Sequence, residues 1–239
     1  MYRDGRDFDS ILRLYCVSSG PMELMHTAHV PSGDGPHPTI VLLHGWGANS
    51  HDLLGLAPLL HSGKAMVLCP QGTLSMDIGQ GMAGYGWFDL SQGMAVDPAE
   101  IDKAAKQVSD FIDLACERYA IDLRHLVLGG FSQGGVVAYK LALTQPERFT
   151  GLMALSSWLP EALASTIEKK PEHANLATIA LHGLEDPMIP IEKGRESRDA
   201  LLKLGIPTVY HEYPMGHEIA VDALRALVAW VDEKVFEFV

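Results

Sequence analysis

Cysteine is scarce in this chain, with Cys16, Cys69 and Cys116 the only three among 239 residues. An odd number without CxxC spacing argues against a disulfide framework or a zinc site and fits a reducing compartment. No long run of Lys or Arg offsets a formal net charge of -12, so the field repels phosphate backbones and anionic lipid, and nucleic acid is not an expected partner. No apolar stretch approaches the roughly 18 residues that a membrane span needs. The opening MYRDGRDFDS holds no apolar core and no small-residue cleavage site, so it does not resemble a secretory signal. These absences predict a cytoplasmic protein without stable membrane insertion.

What is present is ordinary globular composition, 47% hydrophobic and 20% charged, in a length that predicts one domain over 1–239. Short apolar runs bounded by Gly, Pro or polar residues recur at Thr39 to Leu43, Ala65 to Cys69, His125 to Gly129, Gly151 to Leu155, Ala177 to Leu181 and Thr208 to Tyr213. They read as strands. Between them lie helical patterns such as Ile101, Ala104, Ala105, Val108, Phe111, Ile112 and Ala115, apolar at three- and four-residue spacing. Alternating strands and helices predict an α/β fold with a mostly parallel sheet covered by helices on both faces. Such sheets carry their chemistry at the carboxyl ends of the strands. Ile11 to Val17 and Glu23 to Val30 suggest an added N-terminal antiparallel hairpin.

The run from His125 to Gly135 passes from a strand pattern into the apolar helical segment Val136 to Leu143, with Ser132 at the junction. The surrounding GxSxG suits a nucleophile elbow: the serine sits on a strained turn, and small residues two before and two after it, here Gly130 and Gly134, permit close backbone packing. With 23 Gly and 14 Ser, chance alone yields about 0.13 such motifs in a chain of this composition. The context of strand before and helix after is what gives it weight, because the helix start also aims free N-H groups at any negative charge forming beside the serine.

A hydroxyl nucleophile needs a base, and the base needs a carboxylate that holds its tautomer. The turn-rich loop His182 to Pro190 offers Asp186, our choice for that carboxylate, with Glu185 as its competing neighbour. Among 11 histidines, His217 follows the strand pattern Thr208 to Tyr213 and precedes a final helix expected over 219–236. That placement completes the chain order Ser, acid, His. Upstream, the loop His44 to Asn49 resembles an HG-type oxyanion loop, which makes the backbone N-H groups of Trp46 and Gln133 the expected donors. Each feature has a blander reading: an accidental motif, a solvated turn, a structural histidine, a tight loop. Gly79 to Gly84 matches GxGxxG literally, but no strand leads into it and no phosphate-capping helix follows. It reads instead as a mobile loop beside the site, with Met76 and Met82 either lining an adaptable apolar pocket or filling the core.

Taken together, LHGWGAN at 43–49, WFD at 87–89, GFSQGG at 130–135, LSSWLP at 155–160, HGLEDPMIP at 182–190 and MGHEI at 215–219 resemble the phospholipase/carboxylesterase family of the α/β-hydrolase fold. The resemblance covers roughly residues 39–235. It implies Ser132 as nucleophile, His217 as general base and acid, Asp186 as orienting carboxylate, Trp87, Trp158 and Met188 as substrate contacts, and no metal or cofactor. The expected reaction is hydrolysis of carboxylic esters of small or medium acyl chains through an acyl-enzyme. Acyl-protein thioesterase or lysophospholipase activity is the alternative among enzymes, and non-catalytic ligand binding on the same fold is the alternative of another class. The expected partner is a small-molecule acyl ester or thioester, and the sequence allows a homodimer. Trp46, where the family often has a smaller aliphatic residue, and the atypical stretch Leu74 to Gly86, a candidate lid, are the departures that bear on the acyl pocket.

Overall fold

A computed structural model describes residues 24–236 except Gln92 and Ala95. In chain order the strands are β1 (His26–His29), β2 (His37–Leu43), β3 (Met66–Pro70), β4 (Leu74–Asp77), β5 (Ala83–Gly86), β6 (Ile121–Phe131), β7 (Gly151–Leu155), β8 (Ala177–Gly183) and β9 (Thr208–Tyr213). The α-helices are α1 (Pro98–Arg118), α2 (Gln133–Thr144), α3 (Glu161–Ala164), α4 (Ile191–Leu204) and α5 (Val221–Trp230). Each strand expected between Thr39 and Tyr213 is present.

Seven strands form one sheet in the order β1-β3-β2-β6-β7-β8-β9. Its ladders are parallel except that of β1, which runs antiparallel to β3 with His26 opposite Pro70. The second arm of the expected N-terminal hairpin is therefore a strand, but its described partner is β3; the arm Ile11 to Val17 lies outside the described residues. The stretch 74–86 departs from the expected loop. β4 and β5 pair as an antiparallel hairpin whose turn holds Gly79 and Gly81 at φ +96° and +74°, so the GxGxxG glycines mostly serve a tight reversal.

Alternation along the central strands divides the core in two. Val41, Leu43, Leu68, Leu126, Leu128, Leu152 and Ala154 face one apolar layer with α1 and α2, while Ile40, Leu42, Val67, Val127, Met153, Leu155 and Ile179 face the other with α5. These runs look uniformly apolar in sequence because both faces are buried. On α1 the whole expected stripe from Ile101 to Ala115 is buried, and the helix starts where Asp97 accepts the Ala99 N-H at 2.9 Å just ahead of Pro98, a favoured start. The final helix is shorter than expected: α5 ends at Trp230, and a wider turn spans Val231–Val235. Because β2, β3, β6, β7, β8 and β9 run the same way, the segments following their carboxyl ends share one rim of the sheet.

Candidate active site

Ser132 stands between β6 and α2 with φ +52° and ψ -119°, a conformation that side chains other than glycine rarely hold without support. The glycines around it explain how the turn closes. A Cβ on Gly130 would lie 2.2 Å from the Gly134 carbonyl carbon, and one on Gly134 would lie 2.1 Å from the Leu43 oxygen. The strand, the helix and the loop after β2 thus touch backbone to backbone around Ser132, as the sequence motif demands.

Asp186 lies in the loop after β8, its side chain without exposed surface. Oδ1 accepts the N-H groups of Met188 at 2.8 Å and Ile189 at 2.9 Å, and Oδ2 accepts the His217 Nδ1-H at 2.8 Å. Glu185, the competing carboxylate, is exposed. A signal for this choice was present in the sequence: only the short aspartate side chain readily folds back on the amides two and three residues later. The bond at Nδ1 leaves His217 Nε2 free of the proton in the neutral ring. The imidazole packs against Phe131, immediately before Ser132, with ring centroids 4.8 Å apart. His182, inside the same motif, is buried; its Nε2 bonds to the Ile189 carbonyl at 2.9 Å and lies 3.7 Å from Asp186 Oδ2.

The loop after β2 closes over the same point. A Cβ on Gly45 would lie 3.4 Å from the Ser132 Cβ, which puts the backbone of Gly45 and Trp46 beside the serine. Gln133 is the first residue of α2, so its N-H has no acceptor within the helix. Its buried side chain ties the site to the WFD triplet, accepting the Trp87 N-H at 2.8 Å and donating to the Phe88 carbonyl at 2.6 Å. Beneath the loop, the His44 ring accepts the Gly72 N-H at Nε2 (3.0 Å), so its proton sits on Nδ1 and goes to the Gly45 carbonyl (2.7 Å). Burial holds the pKa of His44 below its ordinary value, which keeps that neutral arrangement.

Trp87 is 4% exposed and its indole N-H bonds to the His44 carbonyl at 2.9 Å. It supports the loop after β2 and offers a substrate little surface, in contrast to the contact expected from the resemblance. Trp158, at 3% exposure, is likewise a packing residue. Met188 is 66% exposed and stands on the rim. Cys69 is no rival nucleophile, since burial pushes its thiol pKa up to about 12. Among the described residues no group of three His, Cys, Asp or Glu side chains is placed to hold a metal ion, and no helix is long and apolar enough to cross a membrane.

Sequence reasoning did not assign roles to His44, His182 or the serines of LSSWLP. Ser157 Oγ donates to the Ser132 carbonyl at 2.7 Å, and Ser156 Oγ to the Glu218 carbonyl at 3.1 Å. Polar residues directly after an apolar strand in a parallel sheet are the signal that could have raised them, since that end of the sheet carries the chemistry.

Residues 25–234 match the model of the phospholipase/carboxylesterase family. Acyl-protein thioesterase 1 of Gibberella zeae is 30% identical over 209 residues, covering 81% of this chain and 88% of the relative. Among solved structures, esterase PE8 shares 26% identity at a TM-score of 0.75, over 89% of this chain and 99% of that one. The Bacillus cereus carboxylesterase, 22% identical, superposes with a TM-score of 0.75 over 88% and 94% of the two chains. The architecture is that of the α/β-hydrolases.

Proposed function

The chain belongs to the phospholipase/carboxylesterase family, a hydrolase in kind, and from that premise we propose that it cleaves small or medium acyl esters with Ser132, His217 and Asp186 as its triad. The observation that carries this reading is the bond between His217 and an enclosed Asp186, with the His217 ring packed on Phe131, the residue before a serine on a strained turn.

In this mechanism Ser132 Oγ attacks the carbonyl carbon while His217 Nε2 takes the hydroxyl proton, and Asp186 stabilises the imidazolium so formed. The N-H groups of Trp46 and Gln133 hold the oxyanion of the tetrahedral intermediate. Collapse expels the alcohol, which receives its proton from His217 and leaves an acyl-serine. Water, deprotonated by the same imidazole, attacks the acyl carbon; collapse breaks the bond to Ser132 Oγ, which regains its proton from His217 as the acid leaves. An acidic, cysteine-poor chain suits a reducing, cytoplasmic setting.

Thioester hydrolysis is the second reading, favoured by the name of the Gibberella zeae relative and by apolar groups on the rim. Trp46, Ile78, Met82, Leu184 and Met188 are all exposed on segments that follow β2, β3 and β8, suited to an acyl chain.

Intact-protein mass after treatment with a fluorophosphonate is expected to show one adduct, at Ser132. Ser132→Ala should abolish the adduct, keep the fold and lower kcat at least about 10³-fold. Turnover by the variant comparable to that of the parent would remove Ser132 from the mechanism. Aryl esters of two to sixteen carbons, run beside an acyl thioester, decide between the two substrate classes.

A further inference from the structure

We propose that Ser157 is a positioning residue for the nucleophile: its hydroxyl, bonded to the Ser132 carbonyl, fixes the strained turn that aims Ser132 Oγ. This rests on Ser132 being the nucleophile.

The turn at Ser132 persists only if its surroundings over-determine it, and the segment ending β7 grips it at both ends. The Ser132 N-H bonds to the Leu155 carbonyl at 2.9 Å, while the Ser132 carbonyl accepts the Ser157 hydroxyl at 2.7 Å and the Gly135 N-H at 3.0 Å. Residues 155 and 157 therefore fix the peptide units on either side of the nucleophile's Cα, which sets the direction of its side chain. The hydroxyl also explains the last glycine of GFSQGG: a Cβ on Gly135 would lie 2.3 Å from Ser157 Oγ. Ser156 between them is held at φ +44°. Its N-H bonds to the Leu181 carbonyl at 2.8 Å, and its hydroxyl reaches Glu218, the neighbour of His217. One dipeptide directly after β7, the strand between β6 and β8, thus touches both the serine turn and the histidine loop.

Removing the Ser157 hydroxyl separates positioning from simple stability. In Ser157→Ala the Ser132 carbonyl keeps the Gly135 N-H, so no buried acceptor is orphaned and the fold should persist. The test measures kcat and KM on an aryl butyrate, the rate of fluorophosphonate labelling at Ser132, and the melting temperature. For Ser157→Ala, kcat and the labelling rate should both fall about tenfold with KM within about twofold, and Ser157→Thr, which restores the hydroxyl, should regain most of both rates. Wild-type rates in Ser157→Ala overturn the proposal, as does a loss that vanishes once rates are scaled to the folded fraction, or a Thr variant as slow as the Ala variant. A parent protein that takes no label at Ser132 would overturn the proposed function together with this inference. A labelled parent beside an equally reactive Ser157→Ala would overturn the positioning role alone.

Discussion

Asp186 is enclosed without exposed surface, and three N-H groups converge on its two oxygens. A buried carboxylate is tolerable only under such satisfaction. An asparagine there would still accept the Met188 and Ile189 amides with its oxygen, but its NH2 would face His217 Nδ1 and force the proton onto Nε2, where it blocks the base. We expect Asp186→Asn to fold and to lose about 10³ to 10⁴ in kcat, the loss expected for a wrong tautomer; steady-state kinetics beside circular dichroism would check it, and activity within tenfold of the parent would contradict the assigned role. That a carboxylate stands in the loop after β8 was legible from chain order, with Asp186 chosen over its competing neighbour Glu185. The burial of Trp87 was not, since an indole in a motif looks the same in sequence whether it meets a ligand or props a loop.

At the scale of elements, the elbow binds β6, α2 and the loop after β2 into one backbone contact. Gly134→Ala would drive a methyl to 2.1 Å from the Leu43 oxygen, where backbone must move. Gly55→Ala meets nothing within 4 Å. Urea denaturation should show the first variant less stable by more than about 2 kcal/mol and the second within about 0.5 kcal/mol of the parent; similar midpoints for both would refute the packing account. The β6 and α2 segments were readable because the strand pattern, the glycines and the helical pattern agree. The hairpin β4–β5 was not, because both strands are short, β5 is half glycine, and the bonds that seat it are backbone ones: Gly47 N-H to the Tyr85 carbonyl and Tyr85 N-H to the Ala48 carbonyl, both 2.8 Å. Backbone partners leave no mark on side-chain pattern.

For the molecule as a whole, the half-buried His26 and the buried His44 give folding a pH dependence. Burial holds both His26 and His44 below the ordinary value of 6.5. The unfolded chain therefore takes up protons first as pH falls through 6.5, while the folded chain does not, and acidification favours unfolding. The melting temperature should drop between pH 7.5 and 5.5, with a shallower slope in His26→Gln and in His44→Gln. A flat or rising profile in the parent would show that other groups dominate. None of this was legible in composition, because 11 histidines do not reveal which are enclosed. The sheet itself was readable, since six apolar runs between turn signals suffice for a parallel architecture.

The hairpin is laced to the loop after β2 at residues 47, 48 and 85, but at its far end Gly79 and Gly81 have open space where side chains would be. Root and tip therefore answer to different constraints. Residues can be inserted or exchanged at the tip while the root keeps its lacing, so this is where relatives of such an enzyme are free to diverge in length, and where a graft aimed at new substrates has the best prospect of sparing the catalytic machinery.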